Sequence, residues 1–149
     1  MRLCGNDSIN LEMDMKKVLC LFFLVFMSLG IMAQEKESVF RTYIYNEEYK
    51  VYLDINFYDN DVLVHGQEVF GKVPGYFGAV RDSRKWLITS AEIVGKYSAR
   101  LEITNDYGSE NLTATLTYDP KDCSYTLRQT SGSRLKIVVN RKWQKIPTT

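Results

Sequence analysis

The spacing of the apolar side chains constrains the fold of this 149-residue chain more than any other feature. Over most of residues 38–140, apolar and polar residues alternate one by one, which is the period of a half-buried β-strand. Residues 49–58 illustrate the pattern, because one face would carry Val51, Leu53, Ile55 and Phe57. The other face would carry Tyr52, Asp54 and Asn56. Only residues 82–86 are compatible with a turn of helix in this part of the chain.

Short turns rich in Asp, Asn, Gly and Ser separate the alternating segments. The segments are 38–45, 49–58, 62–65, 68–73, 85–93, 97–104, 111–118, 123–130 and 134–140. Consecutive strands joined by short turns form an antiparallel meander. The chain is therefore predicted to be all-β, with eight or nine strands in a closed or partly closed barrel or a two-layer sandwich. We expect the barrel, because up-and-down strand order closes without crossing connections.

An export signal is predicted over residues 15–33. Lys16 and Lys17 precede the continuous apolar run 18–27, and Ala33 provides a small residue before the polar break. A membrane anchor is the alternative, but the apolar stretch falls short of the ~20 residues that span a bilayer. We expect a signal-peptide helix, a true start at Met15 with residues 1–14 upstream of it, and one mature β domain over 34–149. The protein would then be periplasmic or extracellular, with no stable membrane span after cleavage.

The charge balance after residue 33 is close to neutral, with 16 basic and 15 acidic side chains. Such a balance does not favour steering to nucleic acid. Residues 141–145 combine basic side chains with Trp143, as single-strand readers do, but a solvated strand end with lysines that block edge pairing is the favoured interpretation. Cys123 is the one cysteine after the signal, so no internal disulfide can form. A reactive thiol or an intermolecular bridge is the alternative, but a buried position on a strand is expected.

No catalytic, cofactor or metal residue is assigned from the sequence. His65 is the only histidine, and neither a nucleophile turn nor a metal-ligand spacing accompanies it. Residues 59–61 and 105–110 are rich in oxygen ligands that suit calcium. The same residue types are required by hairpin turns, and that interpretation is favoured. The expectation is a protein without enzymatic activity.

Aromatic residues supply the candidate binding residues. Residues 70–78 contain Pro74-Gly75, a strong turn signal, and the turn would expose Tyr76 and Phe77 as binding anchors. Tyr107 in the 105–110 loop is a third candidate anchor. The alternative is that Tyr76 and Phe77 fill the open end of the barrel. An internal cavity, if present, would be lined by Tyr52, Phe57 and Trp86.

The two-lysine leader, the Met32-Ala33-Gln34 exit and the tyrosine-rich meander resemble small exported proteins of Gram-negative gut bacteria. The alternation from Lys85 to Ile137, with Trp143 after the last strand, is similar to lipocalin-like barrels and to periplasmic lysozyme-inhibitor barrels. The resemblance implies a binding function and no particular site residue. Two hypotheses follow: a protein-binding inhibitor or immunity-type protein that acts on a hydrolase or toxin, or a carrier of a small apolar ligand.

Overall fold

The computed structural model describes residues 38–148, and 62% of them lie in strands. The predicted upstream segment and signal peptide lie outside these residues. The eleven strands are β1 (Arg41–Asn46), β2 (Val51–Asn56), β3 (Val62–Leu63), β4 (Lys72–Val73), β5 (Gly75–Ala79), β6 (Asp82–Gly95), β7 (Ser98–Asn105), β8 (Asn111–Asp119), β9 (Ser124–Gly132), β10 (Lys136–Val139) and β11 (Lys142–Lys145). A single 3₁₀ turn over Glu68–Phe70 is the only helical element of the described part. The all-β prediction is confirmed.

Seven strands form one antiparallel sheet in the order β1-β2-β5-β6-β7-β8-β9. The sheet is a meander except between β2 and β5, where the chain leaves to make the small β3–β4 hairpin. Residues Val51, Leu53 and Ile55 lie on one face, as the alternation predicts, and pack in the main core. The sheet curls into a half-barrel rather than closing, because β1 and β9 each pair with only one neighbour.

The concave face of the half-barrel carries the main apolar core. Its largest fully buried side chains include Phe40, Ile55, Ile88, Leu101, Ile103, Leu116 and Leu135. Tyr125 on β9 donates its hydroxyl to the carbonyl of Val39, just before β1, at 2.6 Å. That bond joins residues 86 positions apart in sequence. The curl therefore brings the two ends of the sheet together at this level.

The C-terminal hairpin β10–β11 docks on the concave face instead of extending the sheet. Leu135 and Ile137 are buried in the core. The indole N–H of Trp86 donates to the carbonyl of Lys136 at 3.0 Å, and the backbone N–H of Val138 donates to Asp82 Oδ2 at 2.7 Å. These bonds hold the hairpin against the start of β6. The interior is therefore filled by side chains of the chain itself.

The sequence interpretation is wrong about residues 75–79 and 82–86. Gly75–Ala79 is a fully buried central strand, so the exposure expected for Tyr76 and Phe77 is corrected: they are 5% and 2% exposed. Gly75 allows β5 to lie close to β2 and does not form a turn, since a Cβ there would lie 2.8 Å from Ile55 Cγ2. Residues 82–86 begin the long strand β6 and are not helical.

Cys123 is exposed in the β8–β9 turn, which corrects its expected burial on a strand. Its backbone is left-handed, with φ at 51°, a conformation that costs an L-residue roughly 1 kcal/mol. We expect Cys123→Gly to raise the free energy of unfolding by about 0.5–1 kcal/mol in urea titration. Cys123→Ala keeps the Cβ and should bring no gain; an equal gain in both variants would contradict this explanation.

Candidate binding site

A cleft of about 480 Å³ opens where the half-barrel fails to close, and its lining combines apolar side chains with polar ones such as Asn46, Ser124 and Thr126. Its walls come from β1 and β2 on one side and from β9 and the C-terminal segment 146–148 on the other. The apolar lining consists of Ile44, Tyr49, Val51, Leu53, Phe77, Leu116, Tyr125, Leu127, Leu135, Ile146 and Pro147. The volume falls within the range of pockets that hold small molecules. The cleft is thus an opening of mixed polarity beside the filled core.

Strand β1 forms one rim of the cleft and has a free edge. The N–H of Phe57, directly after β2, donates to the carbonyl of Phe40, directly before β1. This bond therefore continues the β1–β2 ladder. Because ladder bonds alternate along an antiparallel pair, the backbone groups of Thr42 and Ile44 also face β2. The backbone N–H and C=O groups of Tyr43 and Tyr45 therefore face away from β2. No strand of the described part pairs with them.

A cluster of tyrosine rings covers the convex face beside β1. The rings of Tyr43 and Tyr52 stack at 5.4 Å between centroids, and Tyr52 meets Tyr76 edge to face at 6.0 Å. Gly78 makes this packing possible, since a Cβ there would lie 2.5 Å from Cζ of Tyr52. The ammonium of Lys85 lies 5.6 Å from the centre of the Tyr52 ring. Tyr43 is 58% exposed, so the cluster continues to the surface.

The carboxyl of Asp54 lies within this tyrosine cluster. In register, Asp54 faces Tyr43 on β1 and Tyr76 on β5. Partial burial raises the pKa of the Asp54 carboxyl above its usual value. Burial likewise raises the pKa of the Tyr76 hydroxyl, with smaller contributions from Tyr52 and Asp54. The convex face therefore disfavours negative charge. Ionisation of Asp54 consequently lowers the free energy of unfolding.

We expect Asp54→Asn to stabilise the protein near neutral pH. In the unfolded chain the carboxyl has a pKa of about 3.9. Because the folded value is higher, the native state holds the proton more tightly, and stability falls as pH rises from the unfolded to the folded pKa. The difference between the urea midpoints of the variant and the parent should therefore grow in favour of the variant from pH 4 towards pH 7 and then level off. A constant difference over this range would contradict the role of ionisation.

The candidate cavity residues do not line one cavity. Phe57 and Trp86 are 5% and 4% exposed in the main core, where they pack against other side chains. Tyr52 projects from the opposite face and packs with the convex cluster. The physical reason is the strand period, which sends residues 52 and 57 to opposite faces of β2 and its continuation. Tyr107 is 75% exposed in the β7–β8 loop, as a binding anchor requires.

The cleft residues Ile44, Tyr125 and Leu127 were not among the residues singled out from the sequence. The alternation in the predicted segments 38–45 and 123–130 indicates only that these three side chains face inward. In a closed barrel they would be ordinary core residues. They line an opening only because β1 and β9 do not pair, and that is decided by the curl of the whole sheet and by the docked hairpin.

The oxygen-rich turns use their side chains for local hydrogen bonds. The amide of Asn56 donates to Asp61 at 2.7 Å and to Asp59 at 3.2 Å. Asn105 Oδ1 accepts from the backbone N–H groups of Ser109 and Glu110. Among residues 38–148, no group of three or more His, Cys, Asp or Glu side chains is arranged to hold a metal ion. Within the same range, no helix has the length and apolarity needed to cross a bilayer.

The predicted likeness to lipocalin-like and lysozyme-inhibitor barrels rests on the strand pattern. The half-barrel has the meander order that such a pattern implies, but it is open between β1 and β9. Function therefore has to be inferred from the cleft, the free edge and the tyrosine cluster. Comparison with known protein families, with characterised proteins and with solved structures finds no match to this chain.

Proposed function

We propose that this chain is an exported, non-enzymatic protein that binds an extended segment of another polypeptide along β1. The observation that carries the proposal is a free strand edge running beside a cleft that is partly lined by apolar side chains. A protein that captures a strand of a hydrolase or toxin in this way would act as an inhibitor or immunity-type protein.

A polypeptide is the ligand that satisfies both parts of this surface. An added strand would pair with the outward backbone groups of Tyr43 and Tyr45, which is the β-augmentation mode of recognition. Alternate side chains of that strand would enter the cleft next to Ile44. A small apolar molecule could fill the cleft, but it would leave the backbone edge of β1 without partners.

The side chains that flank the edge are those that anchor protein interfaces. Tyr43 and Tyr45 are 58% and 43% exposed on the convex side of β1. Arg41 lies on the same side and is ion-paired with Asp59. Tyrosine and arginine are enriched among residues that dominate binding energy. The remaining side chains of the added strand would therefore pack against exposed rings.

Selection of random 12-residue peptides displayed on phage tests the proposal. We expect selected peptides to carry apolar residues at every second position and to shift the amide NMR signals of Tyr43 and Tyr45. Tyr45→Ala removes the ring, whereas Tyr45→Pro also removes the outward N–H while leaving the β1–β2 ladder intact. Affinity should fall in both variants and about tenfold further in the proline variant, a step of about 1.4 kcal/mol.

Tyr107→Ala is the matched control, because it also removes an exposed tyrosine ring, one that lies far from β1 in sequence. Its affinity for the selected peptides should stay within twofold of the parent. Selected peptides whose binding depends on Tyr107 and is unaffected by Tyr45→Pro would refute the β1 site and would point to the β7–β8 loop as the binding surface.

A carrier of a small apolar ligand is the second candidate, and the 480 Å³ volume of the cleft favours it. Titration with palmitate as the probe distinguishes the two functions. For a carrier, palmitate binds at micromolar concentration, Leu127→Trp blocks the cleft and abolishes binding, and Tyr45→Pro has no effect. Palmitate binding that is absent, or insensitive to Leu127→Trp, would exclude the carrier function.

A further inference from the structure

The C-terminal hairpin concentrates positive charge. Residues 134–145 hold five basic side chains and no acidic one. Residues 38–133, by contrast, hold ten basic and thirteen acidic side chains, a net charge of −3. Positive charge is therefore concentrated locally, although the charge balance after residue 33 is close to neutral. The basic hairpin is defined here as residues 134–145.

Most of this charge is not neutralised within the protein. Lys136 forms an ion pair with Glu110 at 2.7 Å. The other four basic side chains form no ion pair with any carboxylate of residues 38–148, and all four are exposed: Arg134, Arg141, Lys142 and Lys145. Exposed cations without internal partners are free to bind an anionic ligand.

An exposed indole lies among these charges. Trp143 is 58% exposed, and its ring is 4.7 Å from Cζ of Arg84 and 4.8 Å from Nζ of Lys136. These two cation–π contacts hold the ring in place although little apolar packing covers it. By strand period and register, Trp143, Lys136 and Lys145 share one face of the hairpin. A fixed aromatic surface is thus surrounded by positive charge.

A second cleft, of about 550 Å³ and with both polar and apolar side chains in its lining, adjoins the basic hairpin. Arg134 and Lys145 both line it, together with the hydroxyl-bearing residues Thr130, Ser131 and Thr148. Hydroxyl groups both donate and accept hydrogen bonds, so such a lining suits a ligand rich in hydroxyls and anionic groups. This cleft is separate from the 480 Å³ cleft between β1 and β9, although residues 146–148 border both.

We propose that the basic hairpin binds an anionic polysaccharide bearing carboxylate or sulfate groups. Arg134 and Lys145 would bind the anionic groups, the hydroxyl-bearing residues would bind sugar hydroxyls, and the exposed part of the Trp143 ring would contact a sugar ring. Single-stranded nucleic acid is a poorer fit, because such proteins use several aromatic platforms along a groove, and the hairpin has one. An anionic bilayer would not use a hydroxyl-lined cleft.

Binding of heparin and of polygalacturonate to the mature chain tests the proposal. We expect micromolar affinity at 50 mM NaCl that weakens steeply by 300 mM, as charge-driven binding requires. Arg134→Gln with Lys145→Gln should weaken binding at least tenfold, and Trp143→Ala at least fivefold. Lys72→Gln with Lys121→Gln is the matched control with the same charge change at exposed sites elsewhere, and it should change affinity less than twofold.

Intrinsic fluorescence adds a readout that a purely structural effect would not give. The two tryptophans differ in environment, since Trp86 is 4% exposed and Trp143 is 58% exposed. The polysaccharide should shift the emission of the parent to shorter wavelength, and Trp143→Phe should remove the shift. Equal weakening by both double variants, equal binding of neutral dextran, or tighter binding of oligo-dT or phosphatidylglycerol vesicles would overturn the proposal.

Discussion

Replacing Trp86 by alanine should lower the free energy of unfolding by about 3–5 kcal/mol, because it empties the space of a large ring in the core. Trp86 is 4% exposed and packs at the point where the hairpin β10–β11 meets β6. A domain of this size has a total stability of about 5–15 kcal/mol. The variant should therefore show a large drop in the urea midpoint and be close to unfolding at 37 °C.

Trp86→Phe separates the contribution of the hydrogen bond to stability from that of apolar packing. The phenyl ring keeps much of the apolar volume but loses the N–H that donates to the carbonyl of Lys136. The expected cost is about 1–3 kcal/mol, with a rise in amide exchange confined to the hairpin. Trp143→Phe is the control on an exposed indole and should cost under about 0.5 kcal/mol. Equal costs for both phenylalanine variants would mean that Trp86 does not hold the hairpin.

Gly132→Ala should lower the free energy of unfolding by about 2–4 kcal/mol, because two separate costs act at one position. The backbone of Gly132 is left-handed, with φ at 87°, which strains any residue that has a Cβ. The added Cβ would also overlap the carbonyl oxygen of Asn111 and lie 2.7 Å from Cα of Leu112. Both contacts are with the backbone of β8, which cannot move without disturbing the ladder.

Gly108→Ala measures the cost of backbone strain alone, without the steric contact. Gly108 is also left-handed, with φ at 67°, but no atom lies within 4 Å of the position of its Cβ. The expected loss is about 1 kcal/mol, from backbone strain alone. Urea titrations of both variants give the comparison. If Gly132→Ala lowers the free energy of unfolding no more than Gly108→Ala does, the backbone of β8 moves away from the added Cβ at little cost.

The sequence was most informative where strands pair with their neighbours in the chain. The predicted segments 97–104, 111–118 and 123–130 differ from β7, β8 and β9 by at most two residues at either end. Here the alternation is strict and the turns are short, so local pattern and pairing agree. The division of the β2 side chains between the two faces of the strand was also predicted correctly from the alternation alone.

Strand β5 was missed for a physical reason. It is buried on both faces, by the core on one side and by Val64 and the tyrosine cluster on the other, so it shows no alternation. Its glycines allow close packing against β2, yet glycine next to Pro74 has the signature of a turn. The candidate anchors Tyr76 and Phe77 were therefore placed on a surface that the fold covers.

The amino-acid sequence by itself determined that most of residues 38–140 form antiparallel strands and which side chains of most strands face the core, because the two-residue period is a local property of the chain. Only the tertiary structure decided that the sheet stays open between β1 and β9 and that residues 134–145 dock on it as a separate hairpin. Closure depends on the summed curl of seven strands and on what fills the concave face, such as Leu135 and Ile137. Those contacts join residues far apart in sequence, so the cleft, the free edge and the basic hairpin became visible only once the chain was folded.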